Sequence, residues 1–355
     1  MFKEVLKKLW NDKFSRISLI VLGMIYLALF FADFLAPYTK DFSDRTMAYV
    51  PPSKIFVINE TNHLSKPYTY NYTREFDSEN LRIKYTLDRS QKHYIKFFSK
   101  GQPYKFLGII PMKRHLITTD TAGRLFLLGA DINGRDVFSR ILFGGRISMT
   151  IGFLALFVLF PIGLLYGGIS GYFGGIVDTI MMRFAEAVMS IPSFYLLIIL
   201  ASILPSGMTS TQRFMLIVII LALIGWAGFA RVVRGMVLSV KNQEFVQAAR
   251  SIGASRLRII VKHILPQTTS FVIVAMTLSV PSYILSESGL SFLGLGIQQP
   301  DASWGNMLKE AQEYTNIIYR PWLLTPGILI FVAVLAFNVI GDTIRDVLDP
   351  KSRSN

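Results

Sequence analysis

The sequence predicts an all-α polytopic membrane protein with six transmembrane helices, a basic cytoplasmic loop and a small β-containing extracytoplasmic insert. Three observations carry this. The 355 residues are 52% hydrophobic and only 17% charged, whereas a soluble domain carries about a quarter charged residues. The apolar residues gather in blocks of about 20, the length a helix needs to cross the hydrocarbon core. Lys and Arg collect beside those blocks, as they do on the cytoplasmic side of a membrane protein.

Taken in order, the first block covers Ile17 to Ala36 and follows a basic head with Lys3, Lys7, Lys8, Lys13 and Arg16. The run is longer than a signal-peptide core and ends in Phe34-Leu35-Ala36-Pro37, so an uncleaved anchor is expected. Further spans are expected at Ser148–Ser170, Phe184–Leu204, Phe214–Phe229, Phe271–Leu293 and Pro321–Ile340. Arg231, Arg234, Lys241, Arg250, Arg256, Arg258 and Lys262 follow the fourth span against one acid, Glu244. Only Arg213 lies between spans three and four. This asymmetry puts both termini and the 230–267 loop in the cytoplasm and residues 37–147 outside.

The chain then divides into a head and first helix (1–36), an extracytoplasmic segment (37–147) with an insert at 41–125, a core (148–345) with five transmembrane helices, and a cytoplasmic tail (346–355). Within the insert, residues 67–73 and 82–88 alternate apolar and polar, as half-buried strands do. Its Tyr and Lys content suits a cover over the outer pore mouth or a contact for a binding protein, or else a solvated decoration. Asn59-Glu60-Thr61 and Asn71-Tyr72-Thr73 fit a glycosylation triplet, which matters only in a eukaryotic secretory setting.

Composition excludes several classes. The net charge of +14 invites nucleic acid, but the basic residues flank apolar blocks and form no stripe on a soluble helix. Cysteine is absent, so no disulfide or thiolate metal site can form. No phosphate-cradling Gly-x-x-x-x-Gly-Lys-Ser/Thr loop occurs. His63, His93, His115 and His263 all fall outside the expected spans, against an intramembrane metalloprotease. Neither a metal site nor a catalytic residue is assigned.

The stretch from Asn242 to Pro266 reads as two short helices with an elbow. Asn242 is placed to cap the first, Gly253 to end it in a left-handed conformation, Ser255 to cap the second and Pro266 to stop it. Ala249 and Gly253 lie four apart, giving one nearly bare face that another protein can approach closely. The competing reading is a basic amphipathic helix lying on anionic lipid.

Gln247-Ala248-Ala249, Gly253 and Leu265-Pro266 resemble, at the right spacing, the loop shared by ATP-binding-cassette (ABC) importer permeases. Gln247 replaces the usual Glu, and His263 the usual Ile. A second run, Leu128 to Arg140, resembles the outer motif of dipeptide, oligopeptide and nickel importer permeases (DppC/OppC type), with Ala130 in place of Thr. Its Gly129, Asp131, Gly134, Arg135 and Asp136 read as a glycine-rich turn with locally satisfied charges, or as solute contacts. Further matches run through 178–186, 190–192, 290–296, 301–305 and 338–350.

The resemblance implies an ABC importer permease subunit that carries peptides across the cytoplasmic membrane. Residues 235–266 would be its ATPase-docking coupling loop. The implied partners are a second homologous permease, two ATPase subunits, an extracytoplasmic solute-binding protein and the lipid bilayer. ATP and magnesium would sit on the ATPases and no cofactor on this chain, which would not itself be an enzyme. The alternatives are a permease for nickel or another small solute, or an ATP-independent channel or secondary transporter. Few charges lie at membrane depth. Glu186 has Arg183 three residues earlier as a structural partner. Glu287, between Ser286 and Ser288, is a candidate for lining the pore or for helix packing. Pro192 and Pro281 are candidate gate kinks.

Overall fold

The computed structural model describes residues 2–58, 63–78, 82–120, 122–205 and 207–348. The first glycosylation triplet and residues 349–355 lie outside them; the second triplet sits in a strand. Two compact units interleave along the chain. One comprises residues 1–22, 149–296 and 331–355, the other 23–148 and 297–330.

Helix α1 (Phe2–Asn11) passes into α2 (Lys13–Phe30), followed by the short α3 (Ala32–Leu35). Asp12 sets the joint, its carboxylate accepting from the Ser15 amide and hydroxyl, both at 2.8 Å. Among the described residues five strands come next: β1 (Phe56–Ile58), β2 (Leu64–Asp77), β3 (Arg82–Tyr94), β4 (Lys96–Phe106) and β5 (Ile110–Thr118). The first three form an antiparallel sheet in chain order, and β4–β5 a separate hairpin. The alternating stretches therefore are strands. Tyr68, Tyr70 and Tyr72 bury on β2, and Tyr72 packs with Val50, Phe126 and Ala130. The Tyr72 hydroxyl donates to Pro52 O and that of Tyr85 to Ala48 O.

The remaining long helices are α4 (Val137–Phe173), α5 (Gly175–Met189), α6 (Ser193–Ser202), α7 (Ser210–Val240), α10 (Thr269–Phe292) and α13 (Thr325–Leu348). Between α7 and α10 lie the short α8 (Glu244–Ser251) and α9 (Arg256–Ile259), and between α10 and α13 lie α11 (Trp304–Leu308) and α12 (Tyr314–Tyr319). Among the described residues, five helical segments can cross a membrane by length and composition, and α5 with α6 makes a sixth if the pair counts as one span.

Two expectations need correction, and the third block, with its candidate kink at Pro192, is sharply bent: α5 and α6 turn by 77° across residues 190–192. Pro192 sits at that break, where its missing N–H and its constraint on the preceding residue disfavour a continuous helix. The second and fourth blocks underestimate their helices, because α4 starts 11 residues before Ser148 and α7 ends at Val240. Polar ends such as Arg231 and Arg234 conceal helical turns that continue beyond the apolar run. Pro266 does not stop a helix. Residues 260–264 form a π turn and 265–268 a 3₁₀ turn with the proline at its start, leading directly into α10. The change from π to 3₁₀ pattern is what lets the helical chain pass a proline that has no N–H to continue the ladder.

Helix α7 packs on α4 through glycines. A Cβ at Gly163 would lie 2.5 Å from the Phe229 ring, one at Gly167 2.3 Å from Ala230 O, and one at Gly171 2.8 Å from Arg234 O. Spaced four apart, they form one bare stripe along which the backbones meet, the packing that apolar solvent favours between helices. Asp178 on α5 closes the bundle end. Arg234 on α7 binds it bidentately, with Nε donating to Oδ1 at 2.6 Å, and Ser170 Oγ donates to the same carboxylate.

Candidate functional site

The elbow is built on the end of α7. Val246 and Ala249 of α8, with Ile259 and Ile264, bury against Val233 and Val237. At the turn, Gly253 has φ +78°, its N–H donates to Arg250 O at 3.0 Å, and the Ala254 N–H reaches back to Ala249 O at 3.1 Å. This paired closure of a helix end needs a left-handed residue. Ser255 precedes α9 in extended conformation but makes no side-chain cap bond. The first cap is a correction. Gln243, not Asn242, is the N-cap of α8, without a side-chain bond, and Asn242 instead offers its carbonyl to Gln247 Nε2 at 3.0 Å.

The bare face also differs from expectation. Ala249 is buried within its own chain, while a Cβ at Gly253 would meet nothing within 4 Å. Among the charged and polar residues of the elbow's outer face stand large apolar side chains, Ile252 85% exposed and Leu257 58% exposed. Gln247, Ala248 and Pro266 are exposed, and Leu265 is half-buried. Arg250 and Arg256 lie over the rings of Tyr172 and Phe173 at the end of α4, which fixes the cations beside the apolar patch. Ile252 and Leu257 escaped sequence reasoning because each also fits a buried position of a short helix.

In the other unit, the outer motif forms a buried charge cluster. Gly129 and Gly134 have φ +71° and +68°, and a short bridge joins Ala130 to Asp136. Asp131 accepts from the Asn133 amide at 2.8 Å, the Arg135 amide at 3.0 Å and Arg135 Nε at 2.7 Å. Asp136 caps α4, accepting from Ser139 N at 2.7 Å and Ser139 Oγ at 2.6 Å. Arg135 and Arg140 both donate to the Gln299 side chain, and Arg140 also to Pro300 O. Glu310 accepts from the Ile132 amide at 3.1 Å. Trp322 donates to Ala130 O.

Burial pushes the Asp136 carboxyl up to about 7, against the lowering effect of the Ser139 bonds. Burial, then the nearby Asp131 charge, does the same for Glu310, also to about 7. Asp131, Arg140 and Glu310 line a cavity of about 10 Å³, room for about one water. Gln299, Glu310 and Trp322 were missed because they lie more than 150 residues from the motif. Their signal is only the polar and aromatic content of the 298–322 stretch.

The three gate candidates are separated by environment. Glu287 is fully buried and accepts from Ser291 Oγ at 2.6 Å. Pro281 lies inside the unbroken α10, and Pro192 at the α5–α6 bend. Arg183 meets Glu186 at 3.2 Å.

A helical bundle with this many apolar helices, joined through a basic, apolar-tipped elbow, defines a multi-pass membrane protein. The chain belongs to the family of binding-protein-dependent transport system inner membrane components, whose pattern it matches over residues 141–354. Residues 1–52 match the N-terminal transmembrane domain of oligopeptide transport permease C. It is 45% identical over 227 residues to a dipeptide transport system permease protein of Bacillus subtilis, covering 63% of this chain and 68% of the relative. An oligopeptide transport system permease protein of Haemophilus influenzae is 45% identical over 226 residues, 63% of this chain and 70% of the relative. A glutathione transport system permease protein of Escherichia coli is 42% identical over 224 residues, 63% and 71% respectively.

Proposed function

We propose that the chain is one permease subunit of an ABC importer that moves peptides into the cytoplasm, powered by separate ATPases. The relatives named for dipeptide, oligopeptide and glutathione transport support a peptide-like solute. The single observation that carries the energy coupling is the elbow. It offers Ile252 and Leu257 to a partner while Val246, Ala249 and Ile259 root it in the bundle. A rigid lever with an exposed apolar tip transmits force from a moving ATPase better than a loop packed only by solvent contacts.

In this reading six spans cross the cytoplasmic membrane, with α5 and α6 counted as one. Both termini and residues 235–266 are cytoplasmic, and 37–147 face outward, where a binding protein delivers solute. A second homologous permease completes the pore, and two ATPases dock beneath it. Gln247, Ala248, Gly253, Leu265 and Pro266 shape the dock, and Ala249 holds it to α7. The outer motif of Gly129, Asp131, Gly134, Arg135 and Asp136 is a rigid structural clasp. Pro192 supplies the bend that changes between access states, and Pro281 a second weak point. Glu287, buried in one state, becomes a gate group only when its own packing opens.

The test is the double variant Ile252→Ser/Leu257→Ser, reconstituted with partner subunits in proteoliposomes. Both side chains are largely exposed, so folding and membrane insertion remain normal. Solute-stimulated ATP hydrolysis and uptake of labelled dipeptide are expected to fall together. Unchanged uptake with normal subunit assembly removes the docking role from this patch.

A further inference from the structure

The β4–β5 hairpin does not stand clear of the membrane helix beside it. It lies across the C-terminal end of α2 and α3. Phe106 packs on Phe30 and Phe31 with ring centroids 5.7 and 6.0 Å apart, and Phe98 meets Phe34 at 5.9 Å. The turn is tied there, because the Leu107 amide donates to Asp33 Oδ2, which also receives Arg146 Nη2 at 2.7 Å. His115 is a second tie. Its Nδ1 lies 2.7 Å from Ala36 O and its Nε2 2.8 Å from Gln102 O.

The hairpin is two-faced. Phe106, Ile110 and Met112 follow one face by strand alternation, with Lys105, Pro111 and Lys113 on the other. Between the apolar face and the helix runs a groove of about 590 Å³, lined by Met24, Leu27, Phe31, Phe106, Met112 and Leu116. Met24 lies seven residues before Phe31, so the groove extends ~10 Å along the span. A second cavity of about 840 Å³ is lined by Lys40, Lys105, Lys113 and Arg146, with the acids Asp33 and Asp41, and by Tyr104 and Met112 from the apolar face. The turn itself presents Leu107, Ile109 and Ile110, with Ile109 80% exposed.

Water is a poor neighbour for this arrangement, and α2, on which the hairpin packs, is long and apolar enough to cross a membrane. We propose that the β4–β5 hairpin is an interfacial membrane anchor. Its tip, Leu107 to Ile110, inserts at the headgroup–acyl boundary, lipid chains fill the groove beside α2, and Lys105 and Lys113 meet anionic headgroups. The charge pattern and the continuity with the membrane helix favour lipid over a protein partner. The leaflet is the one at the C-terminal end of α2, the outer leaflet in the orientation proposed above.

The chain has no cysteine, so single nitroxide labels report cleanly. The full chain carrying Ile109→Cys, Leu27→Cys or Ser90→Cys is placed in nanodiscs of phosphatidylglycerol and phosphatidylcholine. Collisions with oxygen, which concentrates in lipid, are compared with collisions with a water-soluble nickel chelate. Position 109 is expected to behave like the lipid-facing position 27, with an oxygen-to-nickel ratio several-fold above that at position 90. A ratio matching position 90 overturns the anchor. Protection from both reagents overturns it too, because a protein would then cover the tip. A deeper tip in phosphatidylglycerol than in phosphatidylcholine alone, abolished by Lys105→Gln/Lys113→Gln, is expected from the headgroup contacts; equal depths refute them. Since the collision ratio is the same whichever side the hairpin faces, an inverted orientation leaves this result unchanged and is read separately by sided labelling.

Discussion

At Gly134 two constraints coincide. Its φ of +68° disfavours a Cβ, and a Cβ there would lie 1.8 Å from Asp44 O. Left-handed backbone alone costs a non-glycine residue roughly 1–2 kcal/mol, and here backbone must also move. Gly134→Ala is therefore expected to lower the melting temperature of the purified protein more than Gly175→Ala, where φ is also positive but nothing lies within 4 Å. Equal shifts would mean that the contact with Asp44 is unimportant. The buried carboxyls beside it set a pH dependence. Asp136 and Glu310 have folded-state values raised to about 7, above those of the unfolded chain. The folded state therefore binds more protons between about pH 4 and 7, and stability falls as pH rises through that window, by at most about 1.4 kcal/mol per pH unit for each group. The melting temperature is expected to be higher at pH 5 than at pH 8, and Asp136→Asn with Glu310→Gln should flatten that difference. A double variant with an undiminished pH slope would place the titration elsewhere.

Elements meet through features of different legibility. The glycine stripe on α4 was open to reading, since Gly163, Gly167 and Gly171 recur every four residues in an apolar run. Gly167→Val forces backbone apart at Ala230 O, and overpacking of this kind costs typically 1–3 kcal/mol. A loss of stability in detergent is expected, with Gly228→Val, open at its Cβ to all but a 3.9 Å sulfur contact, as the mild control. Similar losses at both positions would show that helix propensity, not contact with α7, decides. The Asp178–Arg234 clasp was hidden, because 56 residues and a sharp bend separate its partners. Arg234→Lys keeps the charge but loses the fork that grips two oxygens. It should destabilise the α5–α7 junction, seen as faster proteolysis near 174–190, while Lys241→Arg leaves it intact. At the elbow, Gly253→Leu meets no neighbour within the chain, so its effect on the isolated subunit is confined to backbone strain of roughly 1–2 kcal/mol. Any larger defect in coupled uptake comes from the partner's side, and normal uptake at normal expression would refute close docking there.

For the whole molecule, the prediction is topological. Cysteines introduced singly at positions 90 and 250 are to be treated with an impermeant thiol reagent in intact cells. Labelling at 90 and protection at 250 are expected. The reverse pattern would invert the orientation read from the Lys and Arg flanks. The two interleaved units also make the insert part of a body that includes residues 297–330 rather than an appendage. Deleting residues 45–120 with a short Gly-Ser bridge is thus expected to destabilise the 124–136 segment, since Tyr49, Val50 and Ser53 pair with its backbone. Slower solute handover with intact assembly would also give the insert a role at the outer entrance.

Sequence by itself determined the membrane class, the number of apolar blocks, the β character of the insert and the glycine that turns the elbow. Each is a local property: block length against bilayer thickness, alternation against strand geometry, and a missing Cβ at a helix end. Only the tertiary structure decided that the third block bends by 77°, that Pro266 continues rather than stops a helix, and that Ala249 is buried while Ile252 points out. It also assembled the outer motif with Gln299, Glu310 and Trp322, and laid the β4–β5 hairpin across the first span. The reason is that these depend on which surfaces meet after folding. Whether an apolar side chain is buried or offered, and whether a charge is paired, is fixed by neighbours far away along the chain.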